Sequence, residues 1–272
     1  MRRWVGFGLG AVLAVAAMSA CEDFDPLELH PDVVWLEVLL VAGESEARVL
    51  AIHPHREQGD GTPEITAHLV GPGWEAAFSE TLELEVCTGG RIGVDSARCL
   101  RAALPEPVRA GAAYGLRGTA PLGSFTGETR VPDTPLLETD TLHLSWPEKG
   151  EGRHIPLRYR AGSDIGTLLV DVRDIFETRE DGTEVELPTS DLRLLPRGVD
   201  PAGTADTVWI GVRERPLRFS LILLGVGWKL TDFAYLESPA IRPWPKFGID
   251  GYGVYGYFDG AARSRAASIL VR

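Results

Sequence analysis

Basic charge, cysteine and helical periodicity are all scarce in this 272-residue sequence. Its 27 lysines and arginines face 39 acids, for a formal charge of −12. That balance excludes nucleic acid as a natural partner, because a polyanion is held by a basic surface. The three cysteines, Cys21, Cys87 and Cys99, include no Cys-x-x-Cys pair, which removes a common metal and redox spacing. From Val33 onward no stretch keeps an apolar helical stripe for three turns, so a helix-rich fold is excluded. Catalytic signatures are missing as well. The sequence has no Gly-x-Ser-x-Gly elbow, no phosphate-binding glycine loop and no His-Glu-x-x-His. Acids are so numerous that choosing two as a glycosidase dyad would be arbitrary. The expectation is a protein that is not an enzyme and carries no cofactor, with a motif-free hydrolase as the remote alternative.

What is present begins at the N-terminus. Arg2 and Arg3 precede an apolar run from Trp4 to Ala17, fourteen residues that are too few to span about 30 Å of hydrocarbon comfortably. Met18-Ser19-Ala20-Cys21 resembles a bacterial lipobox, with Met18 in place of the usual leucine. Residues 1–20 therefore read as a cleaved signal peptide, and Cys21 as the lipidated first residue of the mature chain. An ordinary secretory signal with Cys21 as a leftover thiol is the alternative. Residues 21–32, which include Glu22, Asp23, Asp25 and two prolines, have too little apolar surface to order and read as an acidic tether. Loss of the leader removes two basic residues and no acid, taking the charge from −12 to −14. The partner these features imply is a membrane, reached through acyl chains that each contribute ~0.8 kcal/mol per buried methylene. The expected location is the cell envelope, at the outer membrane, facing the periplasm or the surface.

Apolar residues from Val33 recur with period two or in short runs between glycines and prolines. This pattern predicts an all-β chain of two β-sandwich-like domains in tandem. Strands are expected at 33–41, 47–53, 64–70, 74–78, 81–87, 113–119 and 125–131, about the number in an immunoglobulin-like sandwich over 33–131. Pro132-Asp133-Thr134-Pro135 reads as a linker, because proline withholds ladder donors, and 136–272 as a second β-rich domain. Within it, Phe219 to Leu224 looks buried on both faces, and Trp228 to Leu236 is ambiguous between strand and short helix.

Cys87 and Cys99 flank a glycine-rich excursion. In an oxidising envelope this even pair reads as a disulfide, with two free thiols as the alternative. His53 and His55 would point to one side of a strand, with Glu57 and Asp60 following, but Pro54 and the polar run after it suggest a strand end entering a loop. Asp164, Asp171 and Asp174 do not make the calcium-loop pattern, and no metal is expected. The C-terminal segment alternates Gly248, Gly251, Gly253 and Gly256 with large aromatics. Tyr252, Tyr255, Tyr257 and Phe258 are candidates for a surface that stacks on a sugar or peptide; the alternative is a structural corner. On a strand these residues divide between two faces.

The exit Glu128-Thr129-Arg130-Val131-Pro132 and the tail Ile249-Asp250-Gly251-Tyr252-Gly253-Val254-Tyr255-Gly256 stand in the order and spacing of an uncharacterised family. With the lipobox, they make the chain similar to Bacteroidetes-type envelope lipoproteins with an immunoglobulin-like first domain and a glycine-rich aromatic C-terminal motif. It departs at Tyr252, where the family has a second glycine, and at Tyr255, where it has phenylalanine. The resemblance implies an envelope lipoprotein of unknown molecular function, often encoded near TonB-dependent outer-membrane receptors. A binding or accessory role beside such a receptor is the function it suggests. A carbohydrate- or peptide-binding module is the alternative.

Overall fold

The computed structural model describes residues 30–54, 61–88, 96–138, 140–145, 153–178, 181, 183–187, 191–194, 206–210, 216–230 and 246–271. Cys21, the leader and His55 lie outside them. The described residues are 62% strand and 4% helix, an all-β fold. No described helix is long and apolar enough to cross a membrane.

The first half holds β1 (Val34–Val41), β2 (Glu46–Ile52), β3 (Thr66–Gly71), β4 (Trp74–Ala77), β5 (Glu80–Leu82), a short helix α1 (Leu84–Thr88), β6 (Ala97–Ala103), β7 (Ala113–Ala120) and β8 (Gly123–Arg130). They form two facing sheets, ordered β1-β2-β6-β5 and β4-β3-β7-β8. This is the A-B-E-D and C′-C-F-G arrangement of an immunoglobulin-like sandwich. Alternation explains why: Val34, Leu36, Val38 and Leu40 of β1 point inward, and Trp35, Glu37 and Leu39 lie half-buried between them. Facing them across the core are Ala67 and Leu69 of β3, Tyr114 and Leu116 of β7, and Phe125 of β8. Near the start of β7 the Tyr114 hydroxyl accepts the Arg109 backbone N–H at 2.7 Å, the tyrosine corner of such domains.

Two sequence expectations need correction here. The strand placed at 81–87 is instead the three-residue β5 followed by α1, because Cys87 has to double back toward β6. β6 itself, central to its sheet, falls where no strand was expected. Its Ala-Arg-Cys-Leu-Arg-Ala-Ala sequence has no β-branched residue, and only its pairing with β2 reveals it.

The second half contains β9 (Leu136–Leu137), β10 (Thr141–Leu144), β11 (Arg153–Leu157), β12 (Tyr159–Arg160), β13 (Thr167–Thr178), β14 (Glu184–Leu187), β15 (Asp191–Leu194), β16 (Asp206–Ile210) and β17 (Pro216–Val226). β13 pairs antiparallel with β17 on one side and with β14 and β15 on the other. β11 pairs with β16, and β9 with β12, as separate ladders. Phe219, Leu221 and Leu223 of β17 are buried, but Ile222 and Leu224 are half-buried. The strand alternates, where the sequence suggested burial on both faces. Residues 228–230 are helical, and the rest of the ambiguous 228–236 stretch lies outside the described residues.

The chain closes with β18 (Lys246–Phe247), β19 (Ile249–Gly251), β20 (Val254–Arg263) and β21 (Ala267–Val271). β20 runs parallel to β1 from Val34↔Val254 to Val41↔Ala261. Its last residues, Ala261 to Arg263, pair antiparallel with β17. One twelve-stranded sheet therefore runs through both halves. β19 pairs with β8, on the opposite sheet of the sandwich. Residues 249–258, which the sequence counted with the second domain, thus place Ile249, Val254 and Phe258 in the first core.

Candidate functional site in the C-terminal aromatic segment

The four aromatic candidates sit on β20 and on the turn that leads into it. β19 extends one sheet of the sandwich and β20 the other, so Tyr252 and Gly253 cross between the two edges. Gly253 has φ +68° and its carbonyl accepts the Val34 N–H at 2.9 Å, which starts the parallel ladder. Gly256 approaches β1 more closely still. Its φ is +114°, and a Cβ there would lie 1.9 Å from the Leu36 carbonyl oxygen.

This geometry separates the aromatics. Tyr252 projects from the turn, 64% exposed, while Tyr255 is 4% exposed and Phe258 is fully buried in the first core. The Lys246 ammonium lies 5.2 Å from the Tyr255 ring centroid and donates to the Gly251 carbonyl at 2.6 Å. Tyr257 is half-buried, and its hydroxyl donates to Glu37 Oε2 at 3.4 Å. Glu37 Oε1 accepts the Trp35 indole N–H at 3.0 Å. Burial, and then the Glu37 charge, push the Tyr257 hydroxyl well above its ordinary range, so it stays a neutral donor. A four-ring stacking surface is not what the structure presents: only Tyr252 offers an open ring face.

Sequence reading passed over Asp259, the residue after Phe258. Its carboxylate is buried where the two halves meet. Oδ1 accepts the Gly260 N–H at 2.8 Å and the Thr129 hydroxyl at 3.1 Å, and Oδ2 accepts the Leu230 N–H at 2.7 Å. Burial raises its pKa above the ordinary carboxylate value, and these donors together with the nearby Lys229 ammonium offset only part of that rise. Lys229 is itself lowered by burial, and its Nζ donates to the Glu128 carbonyl. Nothing in a lone Asp after an aromatic signals this role, which comes from the strands that surround it.

The remaining candidates are placed elsewhere. Cys87 and Cys99 are joined in a disulfide with their Cα atoms 5.8 Å apart, which fastens α1 to β6. His53 is buried, with Nδ1 3.0 Å from the Val33 carbonyl oxygen, and it closes the end of β2. Asp171 pairs with Arg173 at 2.5 Å and Asp164 with Arg130 at 3.1 Å. Among the described residues no group of three His, Cys, Asp or Glu side chains is placed to hold a metal ion.

No family model and no curated protein matches the chain. Solved structures overlap it only loosely. A pullulanase from Anoxybacillus sp., solved with maltotriose, is 12% identical with a TM-score of 0.25, over 70% of this chain and 24% of the pullulanase. The chain thus spans about a quarter of that enzyme's length. The SGBP-B protein of a Bacteroides ovatus mixed-linkage glucan utilization locus, solved with a heptasaccharide, is 9% identical with a TM-score of 0.21, over 84% of this chain and 43% of that one. Titin tandem immunoglobulin domains are 11% identical with a TM-score of 0.19, over 89% of this chain and 97% of theirs. Overlap of this size carries no argument about ligand or activity. The class the strand order itself defines is an all-β protein with an immunoglobulin-like sandwich at its front.

Proposed function

We infer that the chain is a lipid-anchored envelope protein, tethered at Cys21, with a non-enzymatic binding or accessory role at the outer membrane. The observation that carries this reading is the N-terminal sequence: two arginines, a short apolar run, Met18-Ser19-Ala20-Cys21 and an immediate acidic tether. The Cys87–Cys99 disulfide supports it, because such bonds persist in oxidising compartments and are rare in the cytosol. Acyl chains on Cys21 would hold the protein at the bilayer, since two or more chains anchor stably where one is marginal. The tether, residues 21–32, then separates the sandwich from the headgroups.

Mass spectrometry of the protein isolated from its native membrane tests the anchor. The expected product begins at Cys21 and carries acyl chains on its sulfur. An intact Met1 with an unmodified Cys21 would overturn the reading. Cross-linking in intact cells tests the accessory role: an outer-membrane receptor should be recovered with the wild-type chain and not with Cys21→Ala.

A further inference from the structure

Three groups of buried side chains share one short piece of backbone. β20 gives Val254 and Phe258 to the first core, and β21 gives Ala267, Ile269 and Val271 to the second. Between them Ala261 packs with Val41 of β1 and Val226 of β17 in a small cluster at the junction. The ladders follow the same plan, with β20 hydrogen-bonded to β1 along most of its length and to β17 at its end. The Asp259 carboxylate fastens the same point, reaching Thr129 of β8 and the Leu230 N–H beyond β17.

We propose that residues 246–271 act as a strap that couples the two halves into one cooperative unit, closed only after both halves have been made, because the strap follows them in the chain. Opening the first core requires β20 to leave and opening the second requires β21, and the two strands are continuous through the junction where Ala261 packs on Val41 and Val226. The first sandwich therefore cannot settle ahead of the rest during synthesis, unlike domains that fold one after another from the N-terminus. Without the strap its β1 and β8 edges would both stand open, a state that invites pairing with other chains. The proposal holds whether or not Cys21 is lipidated, so its failure and the failure of the anchor reading are distinguishable.

Amide hydrogen exchange on the full chain, in increasing denaturant, tests this directly. In the wild-type protein the most protected amides of β1, β8, β13 and β17 should merge into one opening transition. Two separate transitions, one for each half, would overturn the proposal. Gly256→Ala supplies an independent arm, because the added Cβ would collide with Leu36 and strain the backbone at a positive φ. Exchange in β13 and β17 should accelerate with that in β1, by about tenfold or more in both, the scale of a single strained site. Acceleration confined to β1 and its neighbours would equally overturn it, and the wild-type measurement decides the question if this variant does not fold.

Discussion

The two large cores differ in where along the chain their residues come from. The second draws on residues between Leu137 and Leu223 together with the adjoining β21, whereas the first borrows Ile249, Val254 and Phe258 from more than a hundred residues beyond its own last strand. Alternating apolar residues generate strands in both, but alternation says nothing about which sheet receives a strand. A parallel partner such as β20 leaves no hairpin turn to mark the pairing, so its assignment to β1 is settled only by packing. The largest expected effect breaks the comparison at this point. Phe258→Ala, at a fully buried side chain, should destabilise the protein by about 3–5 kcal/mol in chemical denaturation. A cost below about 1 kcal/mol would mean that the C-terminal segment is not part of the first core.

The disulfide distinguishes the halves in another way. It joins Cys87, in the only helix of the first half among the described residues, to Cys99 in β6 across a separation of twelve residues. Replacing both Cys87 and Cys99 with alanine should lower stability by about 3 kcal/mol on the chain-entropy account. The check is the denaturation midpoint of the double variant against the oxidised wild type. An unchanged midpoint would show that the link adds nothing to the sandwich.

Particular residues show what the sequence disclosed. The alternation of β1 and the Gly-Pro-Gly turn before Trp74 locate the opening strands within a residue or two, because both depend on local chemistry. β6 was hidden because alanine and arginine carry no strand preference, although it pairs with β2 along its full length. The tyrosine corner at Tyr114 and the buried carboxylate of Asp259 were equally silent. Each is an ordinary residue whose role depends on a partner brought to it by the fold. In the aromatic segment, period two separates Tyr255 and Tyr257 from Phe258, but it does not say which face is covered. Lys246 and the strands around β20 cover Tyr255, and the turn leaves Tyr252 exposed.

Tyr252 and Tyr255 sharpen this last contrast with the smallest expected effect. They are three residues apart in one glycine-rich motif, and period two puts them on opposite faces without saying which face is covered. Burial does. Tyr255→Ala removes a ring held under Lys246 and should cost roughly 3 kcal/mol, on the scale of other buried aromatic truncations. Tyr252→Ala removes a ring that projects from the crossover turn and should change stability by less than about 0.5 kcal/mol. Thermal and denaturant unfolding of the two variants side by side provide the measurement. Equal losses would mean that Tyr252 is packed in the folded protein and that the crossover is a closed corner, whereas unequal losses leave Tyr252 as the one ring of the segment kept without a stability reason.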